Sequence, residues 1–447
     1  MTTRIFQAST LYGAATLAAA LDAGCFDSTG RRILLVCNNA ATPETTPGLD
    51  SMPGFARLRD RFDDVVSYNE TFIPFHPGGW SPRADELPLW ERFVRHEWRL
   101  GDDDVELAVE SIQVDPSLTL ARIFTGAPVT VYADGLMSYG PTRNKIDPLV
   151  GTRVDRVLHV DLVPGLAPLL LTEFGVPAEV VPAPALTKVL ASLADGADGL
   201  PDVEEPALLL GQYLSALGIL SPDEEDALHL RMLRGVVALG HERVVFKPHP
   251  SAPARFTRSL EEEAGRLGAE LVVCDTPVLA EVLFQRTRPA LVAGCFSTAL
   301  LTASALYGLP VARVGTDLLL ERLTPYENSN RVPVTIVDAL LPALEDPAAV
   351  AERRPGKDVE ALGALVRAVG FAMQPKILPG LRAETERYLA AHQDEGTLRY
   401  FKRRRLTSLG LPGGLPAQLS FIPRNATVRR VARRARDLRR SAREGAS

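Results

Sequence analysis

The chain has 447 residues, 46% of them hydrophobic, which is enough apolar material for two cores of ordinary size, so two domains are expected. Its four cysteines, Cys25, Cys37, Cys274 and Cys295, form no C-x-x-C pair and have no histidine at metal-ligand spacing, which argues against a metal centre and for thiols of a reducing compartment. The net charge of -6 conceals an asymmetry, because from Tyr400 onward there are 13 Lys and Arg against two acids.

In chain order, Ile5-Phe6-Gln7-Ala8 reads as a strand, followed by a helix near Thr10 to Ala23 and a buried strand at Ile33 to Cys37. The N-terminus lacks the charged start, apolar run and cleavage site of a secretion signal, and no stretch of about 18 apolar residues appears, so a cytoplasmic protein without a membrane span is expected. Val129 to Tyr132 is a further strand. Ala194-Asp195-Gly196-Ala197-Asp198-Gly199-Leu200-Pro201 is polar and helix-breaking, and the interdomain boundary is placed there.

Beyond it the β-α alternation is regular. Ala207 to Gly211 is a strand, and Ser221-Pro222-Asp223-Glu224 has the pattern of a capping box with proline at the first helical position, opening a helix that runs to Gly240. Then follow a strand at Val244 to Lys247, a helix at Ala254 to Gly268, a strand at Leu271 to Cys274, a helix at Val278 to Arg286 and a strand at Ala290 to Gly294. A helix from Ser297-Thr298 to Gly308 and a strand at Val311 to Val314 complete the series. Repeats of this kind build parallel sheets covered on both faces. The expected architecture is α/β, with a Rossmann-like acceptor domain over residues 1–195, a Rossmann-like nucleotide-sugar domain over 204–370, a helical segment over 371–400 and a basic tail over 401–447. Two such sheets turn their carboxyl edges toward a shared cleft, as in the GT-B fold.

Three segments carry candidate chemistry. Asp134, in Ala133-Asp134-Gly135, ends a strand, and Gly135 would let the backbone turn sharply and project the carboxylate as a proton acceptor. His249, between Pro248 and Pro250, would face a phosphate at the edge of the second sheet. Ser297 and Thr298 open a helix, where unpaired N–H groups and hydroxyls suit a phosphate. Each is also ordinary turn or capping chemistry taken alone. Lys247 shares a strand face with His249 and is a further phosphate candidate, or the partner of a surface carboxylate. Gly211 and Gln212 occupy the first strand-to-helix junction of the second domain, and Ser9, Thr10 and Gly13 that of the first, where an acceptor could be admitted.

Taken together, Asp134-Gly135, His249-Pro250 and Ser297-Thr298 resemble the D/E-D/E-G, H-P and S-S/T motifs of bacterial sialyltransferases, above all the α-2,8-polysialyltransferase family. The resemblance spans roughly residues 4 to 340, and it departs from the pattern at Ala133, where the first acid of the motif would stand. It implies a GT-B glycosyltransferase without cofactor or metal, which transfers sialic acid with inversion from CMP-sialic acid to a glycan or lipid-linked glycan in surface (capsule) polysaccharide synthesis. By residue, it implies Asp134 as general base, His249 as stabiliser of the departing CMP phosphate, and Ser297 with Thr298 as the phosphate's holders. A transferase using CMP-Kdo or a CMP-polyol phosphate, and a catalytically silent nucleotide- or glycan-binding scaffold, are the alternatives.

In the tail, Val428, Val431, Ala435 and Leu438 recur at helical spacing among arginines. Residues 424–443 are read as attaching the protein peripherally to an anionic inner membrane face, with a solvated tail as the alternative. Nucleic acid is not expected as a partner, because no aromatic stacking set accompanies the arginines.

Overall fold

A computed structural model describes residues 1–249, 252–352 and 358–415. Pro250 and the 424–443 segment therefore lie outside the described residues. Met1–Thr385 forms one compact unit and Glu386 begins a second.

The first unit contains two sheets. Strands β1 (Thr2–Ala8), β2 (Arg31–Val36), β3 (Asp64–Ser67), β4 (Asp104–Glu110), β5 (Val129–Ala133), β6 (Val154–Val160) and β7 (Ala178–Val181) make one, in the order β3-β2-β1-β4-β5-β6-β7. Strands β8 (Ala207–Leu210), β9 (Arg243–Lys247), β10 (Glu270–Val273), β11 (Leu291–Gly294) and β12 (Val311–Arg313) make the other, in the order β10-β9-β8-β11-β12. Every strand pair in both is parallel. This is the doubly wound α/β architecture that the β-α alternation predicts.

Burial explains why these segments are strands. Ala207-Leu208-Leu209-Leu210 is buried along its whole length, and Ile5 and Phe6 are fully enclosed, as a strand covered on both faces requires. Three polar residues of β1, Thr3, Arg4 and Gln7, are buried, and Gln7 is the one at its carboxyl end. Its side-chain oxygen accepts from the Glu110 N–H at 3.0 Å and from the Ser117 hydroxyl at 2.9 Å, so its burial is compensated while it ties β1 to the end of β4.

Caps fix several helix starts. Thr10 accepts from Gly13 N–H ahead of the helix Leu11–Asp22, and Ser221 and Glu224 form the reciprocal capping box ahead of Pro222–Ala238. Gly268 and Gly308 are left-handed C-caps of the helices Ala254–Leu267 and Thr298–Tyr307. The helix expected from Val278 instead begins at Ala280, because Leu279 is extended (φ -67°, ψ 150°). The sequence leads to no expected element between 38 and 128. That region holds β3, β4 and the helix Leu87–Glu97, with Phe72 packed among Trp80, Trp90 and Trp98 at centroid distances of 5.3, 5.8 and 6.3 Å.

Both sheets reverse their winding beside their first strand, between β1 and β4 and between β8 and β11. Crevices at the carboxyl ends of such reversals are where open α/β sheets take ligands. The loop after β8 is held from below by Glu225, which is fully buried and accepts from Leu214 N–H (2.6 Å), Ser215 N–H (2.9 Å) and the Ser215 hydroxyl (2.6 Å). All four cysteines are free thiols. Within the second unit, the helix Arg403–Leu409 is followed by a turn in which Leu415 N–H donates to Thr407 Oγ1 at 2.7 Å. No helix among the described residues is long and apolar enough to cross a membrane.

Removing the Glu225 carboxylate would leave three donors without their acceptor. Glu225→Ala is expected to cost roughly 3 kcal/mol, and Ser221→Ala, which loses one exposed cap, about 1 kcal/mol. The denaturant midpoints of the two variants check the ordering.

Candidate active site

Three residues of the first sheet's carboxyl edge come from different strands. Ser9 follows β1, Glu110 ends β4 and Asp134 follows β5. The β4–β5 register sets Glu110 opposite Tyr132, two residues before Asp134. Ser9 donates to Glu110 Oε2 from its N–H at 3.1 Å and from its hydroxyl at 2.5 Å. The next residue, Thr10, donates from its hydroxyl to Asp134 Oδ2 at 3.4 Å.

Gly13 permits this crowding. A Cβ there would lie 2.9 Å from the Tyr132 hydroxyl, 3.0 Å from Thr10 Oγ1 and 3.3 Å from Asp134 Oδ2. Ser9, Thr10, Gly13 and Asp134 are thus one constellation, in which the first three residues pack around carboxyl groups.

Gly135 has a different role from the one its Asp-Gly pattern suggests. Its backbone is extended (φ -140°), a conformation open to any residue, so no sharp turn calls for it. The glycine is required by close approach, since a Cβ would stand 2.9 Å from Thr298 Oγ1. That contact brings the helix after β11 against the residue that follows Asp134.

The electrostatics of Asp134 follow from this packing. Its carboxyl is pushed from 3.8 up to about 7, first by loss of water and then by the Glu110 charge, with Glu281 adding a smaller push and the Thr10 hydrogen bond opposing. Glu110 is itself raised by burial and pulled back by Ser9. Glu281, on the helix Ala280–Thr287 of the second sheet, is buried and pushed up to about 7 by desolvation, against hydrogen bonds that include Thr302. Sequence reasoning missed Glu110 and Glu281. Glu110 had a readable signal, an acid closing the alternating run Val105-Glu106-Leu107-Ala108-Val109-Glu110. Glu281 had none, because a single acid in the first turn of a helix is ordinary.

On the second sheet, Ser297 caps the helix Thr298–Tyr307 and accepts from Ala299 N–H at 3.2 Å. Gln212 reaches across the β8–β11 reversal, its side-chain oxygen accepting from Phe296 N–H at 3.0 Å. Gly211 donates its N–H to Lys247 O at 2.9 Å, and a Cβ there would stand 2.9 Å from the Phe246 ring. Gly211 and Gln212 therefore join the ends of β8, β9 and β11.

Lys247 is buried, and its ammonium donates to Thr276 O at 3.1 Å, with desolvation lowering its proton affinity. His249 has more than a third of its surface open. Even so, loss of water and then the neighbouring Lys247 lower it from 6.5, against a raising effect of Glu225, which favours a neutral imidazole at pH 7. Lys247 and His249 line one cavity of about 360 Å³ with Thr257, Arg258 and Asp275, and its walls include neither Asp134 nor Ser297. Among the sequence-derived candidates, the structure thus makes two groupings: Asp134 with Ser9, Thr10, Gly13 and, through Gly135, Thr298; and Lys247 with His249 and Gly211.

Residues 4–316 match the family described as alpha-2,8-polysialyltransferase. No curated protein matches the chain. Among solved structures, the chain is similar to the GT-B domain of a sialyltransferase from Photobacterium damselae (10% identity over 75% of this chain and 96% of that one, TM-score 0.38). It is also similar to MurG from Acinetobacter baumannii (9% identity, 79% and 89%, TM-score 0.38) and to UDP-GlcNAc 2-epimerase from Neisseria meningitidis bound to UDP-GlcNAc (11% identity, 85% and 99%, TM-score 0.43).

The raised carboxyl makes a stability prediction with a definite sign. Because folding raises the proton affinity of Asp134, its contribution is present below pH 3.8 and is lost as pH rises through about 7. Asp134→Asn carries no such charge, so its melting temperature relative to the unmodified protein should rise between pH 4 and pH 8. Thermal melts at the two pH values measure the difference.

Proposed function

Because this chain belongs to the alpha-2,8-polysialyltransferase family and is a sialyltransferase-like glycosyltransferase, we propose that it transfers sialic acid from CMP-sialic acid to a glycan hydroxyl, with inversion and without a metal. The observation that carries this reading is the Asp134 carboxyl, held near neutrality at the carboxyl edge of the first sheet, beside the residue that Thr298 touches. A base is most effective when its proton affinity lies near the working pH.

In the proposed step, the acceptor oxygen attacks the anomeric carbon of the donor while its proton passes to Asp134. The bond from that carbon to the CMP phosphate oxygen breaks, and the phosphate leaves with the electron pair. His249 donates a hydrogen bond to that phosphate, and a neutral imidazole suffices for this because one ring nitrogen carries a proton. The Thr298–Tyr307 helix N-terminus, with the Ser297 and Thr298 hydroxyls, holds the same group. Gly211 and Gln212 admit the nucleotide at the β8–β11 reversal, Lys247 adds positive charge beside His249, and Ser9, Thr10 and Gly13 border the acceptor's approach.

The same reading makes the protein cytoplasmic, acting on lipid-linked or surface (capsule) polysaccharide. Residues 424–443 would then bind the anionic inner face of the membrane.

Release of CMP from a panel of CMP-sialic acid, CMP-Kdo and a CMP-polyol phosphate tests the donor and separates a transferase from a scaffold. Asp134→Ala is expected to lower turnover about 10²- to 10⁴-fold and His249→Ala about 10²- to 10³-fold, with both variants still unfolding in one cooperative transition. Turnover only with another donor, or undiminished turnover in Asp134→Ala, would overturn the assignment.

A further inference from the structure

Ser9 and Thr10 are consecutive in the chain, and each holds one of two carboxyl groups, Glu110 and Asp134. Glu110 has little freedom to move away from its neighbour. Its N–H donates to buried Gln7, and its carboxylate takes two hydrogen bonds from Ser9. The strand that carries Asp134 is tied to the same spot, because the Tyr132 hydroxyl donates to Gln7 O at 3.0 Å. A single residue of β1, Gln7, therefore anchors the strand ends that bear both acids.

We infer that Glu110 is a positioning residue for Asp134, an anchored second carboxyl group that Ser9 fastens beside the acid held by Thr10. The inference rests on the reading of Asp134 as the base. Two like charges brought together in a poorly hydrated place raise the cost of ionising either one, and Ser9 keeps Glu110 the more readily ionised by donating two hydrogen bonds to it.

The other groups that face Asp134 do not supply this effect to the same degree. Tyr132, from β5, and Tyr12, from the helix Leu11–Asp22, have phenols raised well above 10 by burial, so they stay neutral at the pH where Asp134 titrates. Glu281, from the second sheet's side, contributes less than Glu110 and is itself held protonated up to about 7. Ala133, adjacent to Asp134 in sequence, packs against the hydrophobic core.

The test is a carboxyl-carbon NMR titration of Asp134 in the full-length protein, with its resonance assigned by its disappearance in Asp134→Asn. Glu110→Gln is expected to lower the Asp134 midpoint by about one pH unit, Glu110→Asp to restore it in part, and Glu281→Gln to move it less than Glu110→Gln. Ser9→Ala, a milder change that leaves Glu110 less ionised, should move it in the same direction. With the donor panel, the acid limb of kcat/KM should shift downward with the midpoint while KM for the donor stays unchanged. An Asp134 midpoint that stays put in both Glu110→Gln and Ser9→Ala overturns this inference whatever the turnover. Absence of CMP release from the unmodified protein instead overturns the proposed function, and the titration keeps the two failures apart.

Discussion

The site depends on an unfavourable arrangement, two carboxyl groups held close together where water is scarce. Left to themselves such groups separate, or one swings into solvent. Here the backbone prevents it, because strand-to-strand registry brings Glu110 and Asp134 to one edge and the hydroxyls of Ser9 and Thr10 fasten one each. The first sheet's parallel order makes this possible, since β1 lies beside β4 and β4 beside β5 although long stretches of chain separate them in sequence. The cost of gathering the acids is met by the burial of the strands beneath them.

The second sheet reaches the same place by exclusion of volume. Gly135 and Gly211 have backbones that approach other groups so closely that a single added carbon would collide, at Thr298 in one case and at the Phe246 ring in the other. The first joins the two sheets, setting the end of β5 against the helix after β11, and the second packs the end of β8 against β9 within the second sheet. Gln212 closes the remaining gap by capping Phe296 N–H. The hydroxyl-headed helix and the carboxyl pair are thus registered to one another by fit as well as by charge.

Much of this was legible in the sequence, for reasons that differ by region. In the second half, short apolar runs alternate with capped helical patterns, and Ser221-Pro222-Asp223-Glu224 announces its helix because each capping position has a residue type that performs that function. Thr10 marks the first helix in the same way. In the stretch from 38 to 128 the helix Leu87–Glu97 has its own local signal, with Leu87, Trp90 and Val94 at helical spacing on the core side, whereas the four-residue β3 is too short to show a period and the packing of Phe72 among Trp80, Trp90 and Trp98 is a tertiary fact. Asp134 was readable as an acid at a strand end. Glu110 carried the same kind of signal, but its pairing with Asp134, 24 positions away, did not, because sheet order makes that pairing and no spacing rule along the chain encodes it. The role of Gly135 was misread for a related reason: a glycine kept for clearance looks the same in sequence as one kept for its backbone angles.

Glu281 reaches the environment of Asp134 from the other sheet. Both acids are raised to about 7, so each sheet brings to this meeting point a carboxyl group that is neutral in mild acid. A small drop in pH therefore discharges both sides of the junction together, and a small rise charges both.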